Sequence, residues 1–106
     1  MNAQLKKGVL DMCVLSQLKV RDQYGYELTE KISRSMSIAT GTLYPILKRL
    51  KDEKLVETYL KESSDGPARK YYHLTEKGYD AEKAARKQWH EFVRQVEKIL
   101  EENDDE

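Results

Sequence analysis

The segment TGTLYPILKRL, residues 40–50, limits what this chain can fold into more than any other stretch. Its large aliphatic residues recur at intervals of three and four, which places them on one face of an α-helix: Leu43, Ile46, Leu47 and Leu50. The aromatic and basic side chains between them point elsewhere: Tyr44, Lys48, Arg49 and Lys51. We therefore predict a short amphipathic helix with one face in the core and an aromatic, basic face outside.

The start of this helix is marked by hydroxyl residues and a proline. Thr40 and Thr42 are both candidate N-caps, because a threonine oxygen can accept from the free amides of the first turn. Pro45 lacks a backbone N–H, and in a helix interior a proline costs about 3 kcal/mol. We therefore expect the helix to begin near Thr42, with Pro45 close to its first turn.

Two helices are predicted before this one. Residues 5–18 carry a wide apolar surface, which suggests cover from a partner subunit as well as from the chain's own core. Residues 24–35 form a second helix, with Gly25 at its start rather than in its middle. The hydroxyl of Tyr24 is a candidate phosphate contact, and an equally good interpretation makes Tyr24 a packed core residue. The connection at residues 37–40 places the second and third helices in a helix-turn-helix arrangement.

A β-hairpin is predicted after the third helix. Residues 56–61 and 69–74 alternate or are rich in aromatic residues, and the turn signal Asp65-Gly66-Pro67 lies between them. The tip has few apolar residues to pack, while basic side chains flank it: Lys61, Arg69 and Lys70. A basic hairpin after a helix-turn-helix is the arrangement of a winged helix, in which the hairpin touches phosphate or the minor groove.

The last predicted helix begins after a capping residue, Thr75, and runs to about residue 101. Its second half carries an apolar seam with a spacing of four and three: Ala85, Trp89, Phe92, Val96 and Ile99. Because the small domain before it is already complete, this seam is expected to pack against a second subunit about a two-fold axis. The charged runs KDEK, residues 51–54, and EKAARK, residues 82–87, are interpreted as solvated helix faces.

Charge and composition narrow the class of protein. The chain has 106 residues and a net charge of zero, but residues 97–106 hold six acids and one base, so that residues 1–96 carry +5. A small chain with 36% charged residues is expected to complete its core by forming a dimer. No apolar run is long enough to span a membrane, and the single cysteine, Cys13, cannot form an internal disulfide, so we expect a cytoplasmic protein.

The sequence offers no arrangement typical of an enzyme. His73 and His90 lie on different predicted elements and have no cysteine or carboxylate at metal-ligand spacing. There is no glycine-rich phosphate loop and no nucleophilic serine in a glycine motif. We therefore expect neither catalysis nor a metal or other cofactor.

Three segments in this order resemble the PadR family of bacterial transcriptional regulators: GYEL at residues 25–28, TGTLYPILKRL at residues 40–50 and GPARKYYHLTEKG at residues 66–78. The resemblance implies a mainly α fold with a small β-hairpin. Residues 1–74 would form a winged helix-turn-helix domain, and residues 75–106 a C-terminal dimerisation helix with an acidic tail. It also implies a homodimeric repressor of double-stranded operator DNA, which a small hydrophobic or aromatic compound bound at the dimer interface releases in several members.

The resemblance, together with the spacing and charge, assigns residues to each role. The DNA contacts would be Tyr24, Thr42, Tyr44, Pro45, Lys48, Arg49, Arg69 and Lys70. The dimer interface would contain Leu5, Val9, Met12, Trp89, Phe92, Val93, Val96 and Ile99.

Two alternatives remain open in this reading. Trp89 could stack on a flat ligand near the dimer axis, with Val93, Val96, Met12 and Asp11 around it, or it could be a plain interface anchor. The fold could also have left DNA and become a protein–protein interaction module, whose basic residues serve solubility.

Overall fold

The order of helices and strands matches that of a winged helix. A computed structural model describes the backbone of residues 3–103 and the side chains of residues 8–103. Within these residues the elements are α1 (Ala3–Val20), β1 (Gln23–Tyr24), α2 (Gly25–Met36), α3 (Thr40–Asp52), β2 (Val56–Ser63), β3 (Gly66–Leu74) and α4 (Glu76–Glu101). The strands form one antiparallel sheet in the order β1-β3-β2. The mainly α fold with a small hairpin is confirmed.

The core lies where α1, α2 and α3 meet the base of the sheet. The predicted stripe of α3 is buried along its whole length, with Leu43, Leu47 and Leu50 fully inaccessible. It packs in one cluster with residues of the other elements, which include Leu10, Val14, Leu28, Ile32, Val56 and Tyr72. Each fully buried leucine contributes about 1.5–3 kcal/mol relative to an exposed one. The face that was predicted from spacing is therefore the face that holds α3 in place.

The prediction for the start of α3 was wrong. The helix begins at Thr40, and Ala39 precedes it in extended conformation without a side-chain cap, so neither threonine is an N-cap. Pro45 is the sixth helical residue and lies inside the helix. It removes only the bond to the carbonyl of Gly41, and Gly41 is exposed, so that water can satisfy this oxygen.

The structure contains a strand that the sequence did not predict. β1 has two residues: Gln23 lies between the first two predicted helices, and Tyr24 is the first residue of the second predicted helix. Gln23 is buried, and its Nε2 atom donates to the carbonyl oxygen of Gln17 at 2.8 Å. Gln23 pairs with Tyr72, and Tyr24 with Tyr71. The start of α2 is thereby fixed against the hairpin.

The first half of α4 belongs to the same core as the other helices. Thr75 caps the helix, as predicted, by accepting from the backbone N–H of Gly78 at 3.0 Å. Glu82 is fully buried, although its charged run was expected to be a solvated face. Its two carboxylate oxygens accept from Lys19 at 3.3 Å and from the Nε atom of Arg86 at 2.9 Å. Burial alone would raise the pKa of Glu82, but these two bonds outweigh it and hold the pKa below its usual value.

The close approach of α4 to the chain before β2 depends on Gly78. A Cβ atom at this position would lie 2.0 Å from the carbonyl oxygen of Leu55 and 2.7 Å from a methyl carbon of Leu74. Backbone cannot move away as a flexible side chain can. Position 78 therefore excludes every residue except glycine unless the helix shifts.

Gly78→Ala is expected to lower the free energy of unfolding by about 1–3 kcal/mol or more, as overpacking does in other cores. Gly41→Ala is the matched control, because a Cβ atom there meets nothing within 4 Å and alanine favours a helix. Urea unfolding monitored by circular dichroism measures both. Equal stability of the two variants would contradict the packing described for α4.

Candidate nucleic-acid interface

The N-terminal part of α3, residues 40–48, presents an open surface. The outward residues are exposed, in contrast to the buried stripe behind them: Gly41, Thr42, Tyr44, Pro45 and Lys48. The N-terminal end of a helix carries partial positive charge and free N–H donors. Since Ala39 offers no side-chain acceptor to these donors, this end of α3 suits an anionic partner such as a phosphate.

Tyr44 connects this surface to α2. Its ring is 45% exposed, and its hydroxyl lies 3.4 Å from the Oγ1 atom of Thr29. Thr29 is buried and donates to the carbonyl oxygens of Gly25 and Tyr26 at 3.0 and 3.1 Å, respectively. The orientation of Tyr44 is thus limited by α2, while most of its outer edge stays available.

Lys48 and Arg49 are adjacent in sequence but have different environments. The side chain of Lys48 is 79% exposed, and its ion pair with Asp52, at 3.2 Å, joins two exposed groups one turn apart. Such a pair is worth little and breaks readily when a stronger anion arrives. Lys48 is therefore free to reach a phosphate or a base edge.

Arg49 is turned toward α1, and this position does not favour the role assigned to it. Its guanidinium donates to Asp11 at 2.5 Å and to Glu53 at 3.2 Å, and its side chain is only 30% exposed. The hydrogen bond to Asp11 is the largest cause that raises the pKa of Arg49. The assignment of Arg49 to DNA stays a prediction, while the structure shows it joining α3 to α1.

The outer face of the sheet carries a row of three tyrosines. Tyr24, Tyr71 and Tyr59 are direct partners across β1, β3 and β2. The ring centroids of Tyr59 and Tyr71 are 5.6 Å apart in a stacked arrangement, and those of Tyr24 and Tyr71 are 6.0 Å apart. The sequence shows that Tyr59 and Tyr71 lie on strands, but their alignment with each other and with Tyr24 depends on the strand register and on β1, which only the structure gives.

Basic residues follow the tyrosine row toward the tip of the hairpin. Lys61 pairs with Arg69 across the strands. The ammonium of Lys61 lies 5.3 Å from the ring centroid of Tyr71, and the guanidinium of Arg69 lies 5.0 Å from that of Tyr24. Lys70 follows Arg69 in β3 and is exposed on the opposite face of the sheet. Tyr24 is half-buried where α2 meets the hairpin. Its burial is intermediate between that of a core tyrosine and that of an exposed phosphate contact, the two roles predicted for it.

Asp22 secures the base of the hairpin. Its carboxylate accepts from the hydroxyl of Tyr59 at 2.8 Å and contacts Nδ1 of His73 at 2.7 Å. Burial alone would raise the pKa of Asp22, but the bonds from His73 and Tyr59 outweigh it and lower the pKa. Nothing in the sequence marked Asp22, because its partners are 37 and 51 residues away.

The second half of α4 exposes the apolar seam expected at a dimer interface. Phe92 is 45% exposed, Val96 37% and Ile99 67%. Trp89 is half-buried beside Phe92, with their ring centroids 6.4 Å apart. The remaining interface residues are half-buried, namely Val9, Met12 and Val93, whereas Leu5 lies outside the residues whose side chains the structure describes.

Among the clefts that border α1, two have both Trp89 and Met12 in their walls. The α1–α2–α4 cleft has a volume of about 280 Å³, and the α1–α4 cleft about 410 Å³. Asp11 lines only the second, where it is already paired with Arg49, and Val93 and Val96 line neither. Within one protomer, the five residues expected around a ligand are therefore not brought together.

Among residues 8–103, no group of three or more histidine, cysteine or acidic side chains could hold a metal ion. His73 lies on β3 and His90 on α4. Cys13 is half-buried, and burial raises the pKa of its thiol, which suits a packing role. In the part of the chain that the structure describes, no helix combines the length and apolar character needed to cross a membrane.

Comparisons with known proteins agree with this geometry. Residues 14–84 match the model of the PadR-like family of transcriptional regulators. An uncharacterized protein of Lysinibacillus sphaericus is 33% identical over 99 residues, which cover 90% of this chain and 91% of that protein.

Solved structures extend the similarity to the whole fold. A Streptococcus transcriptional regulator has a TM-score of 0.85 and 34% identity, covering 93% of this chain and 99% of its own. A PadR-like transcriptional regulator from Bacillus cereus has a TM-score of 0.82 and 39% identity, covering 92% of this chain and 97% of its own. The chain therefore belongs to the PadR-like family of transcriptional regulators, and its fold is the winged helix of that family.

Proposed function

We propose that this protein is a homodimeric repressor that binds operator DNA through the outward face of α3 and the basic hairpin. One observation carries this proposal: the exposed aromatic and basic face of α3 lies opposite a fully buried stripe, so that the helix is rigidly held while its polar side stays open. Rigid placement matters, because base readout in the major groove depends on the position of a few side chains.

The residues divide into contacts and supports. Thr42, Tyr44, Pro45 and Lys48 would face the groove and the nearest phosphates, because all four are exposed on the first turns of α3. Arg69 and Lys70 would contact phosphate from the hairpin, with Tyr24 beside α2 as a further hydroxyl donor. Arg49 is proposed to position α3 by holding it to α1, since Asp11 already occupies its guanidinium.

Dimerisation is proposed through the second half of α4. Beyond residue 88 this helix carries four exposed large apolar side chains, Phe92, Val96, Ile99 and Leu100. An apolar stripe of this kind on a soluble helix marks a surface that a partner covers. The division of the chain at residues 74 and 75 remains a proposal of the same kind, because the first half of α4 shares the core of the winged helix while its second half extends away.

Release by an effector and a cytoplasmic location complete the proposal. The two clefts beside α1 support the first, since they have the size of small-ligand sites and include Trp89. The family supports the second, because a regulator of transcription acts where the DNA is. A protein–protein module without DNA binding is the competing function, and the neutral net charge is the observation that favours it.

A salt titration separates the two functions. Binding of a mixed-sequence duplex should weaken steeply as salt rises, by about 0.9 log unit per decade of salt for each phosphate neutralised. Fluorescence anisotropy of a labelled duplex measures this slope. A flat or absent response would contradict DNA binding and favour the protein–protein module.

Lys48→Ala and Arg49→Ala should have different consequences. Lys48→Ala is expected to reduce duplex affinity about tenfold, within the usual 1–3 kcal/mol for such contacts, without changing stability. Arg49→Ala should instead lower the free energy of unfolding by about 1–2 kcal/mol, because it leaves Asp11 half-buried and unpaired. Lys83→Ala, an exposed lysine of α4, controls for the loss of one charge. The division of roles fails if Lys48→Ala and Lys83→Ala bind the duplex equally well.

Charged substitutions at the seam should break the dimer. Phe92→Glu combined with Val96→Glu places two carboxylates where an apolar contact is proposed, so multi-angle light scattering should report half the wild-type mass. Gln95→Glu is the matched control, because it adds one charge at an exposed polar position of the same helix. A double variant that keeps the wild-type mass would refute the proposed interface.

A further inference from the structure

Strand β2 has one paired edge and one open edge. The sheet order β1-β3-β2 places β2 at the end of the sheet, where it pairs with β3 on one side only. Within residues 8–103, no helix or further strand forms backbone hydrogen bonds with residues 57–61 on the other side. An open edge presents N–H and C=O groups that can pair with another strand. The outer edge of β2 is therefore a surface for strand addition.

The middle of β2 lacks the features that usually prevent edge pairing. Prolines and β-bulges are two such features. Residues 56–63 contain no proline, and the irregularity in the β2–β3 pair lies near the tip, between Lys61 and Ser63. Residues 57–61 pair with β3 in continuous register. This segment is thus regular enough to accept a second strand along its open edge.

The charges along this edge are self-complementary. Glu57 and Lys61 lie on the same face of the sheet, at equal distances before and after Tyr59. When two copies of β2 run antiparallel with Tyr59 opposite Tyr59, each Glu57 lies opposite the Lys61 of the second copy. An axis at residue 58 or 60 loses both ion pairs, and an axis at residue 57 or 61 sets like charges opposite each other. One register therefore satisfies the charges.

Both charged side chains are available for such pairs. Glu57 exposes 67% of its side chain and lies 3.9 Å from Nε2 of His73. Lys61 is exposed and lies directly across from Arg69 of β3, which carries the same charge. Like charges at opposed positions destabilise a sheet. A carboxylate on the open side of Lys61 would reduce this repulsion.

The other face of β2 carries an exposed apolar residue. Leu60 is 70% exposed, although Val56 on the same face is buried in the core. In the register with Tyr59 at the axis, Leu60 lies opposite Thr58 of the second copy. The two Leu60 residues are then diagonal neighbours across the axis, within reach of long side chains. The pairing would cover apolar surface that one copy alone leaves open.

We propose that β2 pairs with β2 of a second copy about a two-fold axis at Tyr59, which joins the two three-stranded sheets into one. The tyrosine row then continues across the joint, with Tyr59 of one copy beside Tyr59 of the other. This contact is separate from the α4 seam and does not require DNA binding. Combined with a two-fold contact through α4, it links dimers into linear arrays. Because the paired segment is short, the contact is weak in dilute protein and strengthens when chains are held together.

A cysteine at the axis tests the register. In a Cys13→Ala chain, Tyr59→Cys places two thiols at opposed positions, whose Cα atoms are about 4.5–5.5 Å apart, a distance that a disulfide spans. Mild oxidation and non-reducing electrophoresis should reveal a covalent dimer. Glu57→Cys is the matched control on the same strand and face, because its two copies lie about 13 Å apart in this register. It should cross-link at least about fivefold more slowly. Equal rates, or no covalent dimer from either variant, would overturn the proposal.

Charge reversal provides a second test, in which Tyr59 is kept. In the wild type, the amide NMR signals of residues 57–61 should shift as the protein is concentrated. Lys61→Glu sets acids opposite acids and should abolish this dependence, whereas Glu57→Lys combined with Lys61→Glu exchanges the charges and should restore it. Persistence of the dependence in Lys61→Glu, or no restoration in the exchanged variant, would contradict the pairing.

The seam variant separates this contact from the proposed function. In a chain that carries Phe92→Glu and Val96→Glu, β2 is unchanged, so Tyr59→Cys should still cross-link faster than Glu57→Cys. Loss of this difference would refute the β2 contact and leave the proposed function untouched. A flat salt response of duplex binding would contradict the proposed function and leave the β2 contact untouched.

Discussion

The buried stripe of α3 is the constraint on which the rest of the structure depends. Leu43, Leu47 and Leu50 are completely inaccessible and contact α1, α2 and the base of the hairpin through one shared core. Their burial contributes several kcal/mol, a large share of what keeps a small domain folded. Because a helix has one rotational setting that buries these three residues, the same interaction decides which side chains of α3 face outward.

The stripe also shows how far the sequence could predict this protein. Helical spacing depends on the backbone alone, so the buried face of α3 could be predicted. The hairpin and the cap at Thr75 could be predicted from local turn and cap signals, and the family from three sequence motifs. The environments of Arg49 and Glu82 could not. Spacing gives the direction of a side chain within its own helix, but Asp11 and Lys19, which lie on another helix, decide whether that charge is free, paired or buried. The role of Asp22 could not be predicted for the same reason, because its partners are distant in sequence.

Local sequence signals also predicted the wrong first residue for α3. Hydroxyl residues and a proline indicated a start near Thr42, whereas tertiary packing extends the helix to Thr40 and keeps Pro45 inside it. The cost is one backbone hydrogen bond on an exposed face, which burial of the stripe offsets. The two-residue strand β1 was not predicted for a related reason. It is defined by its pairing with residues 71 and 72, which are distant in sequence, and not by a pattern of its own.

In the proposed function, α3 and the hairpin would bind DNA, and the second half of α4 would form the dimer interface. Amide NMR of the labelled protein during titration with duplex DNA tests the central claim most directly. The largest shifts are expected at residues 40–48 and 61–70, with small shifts along residues 88–101. Shifts concentrated on residues 88–101, or none at saturating duplex, would contradict it.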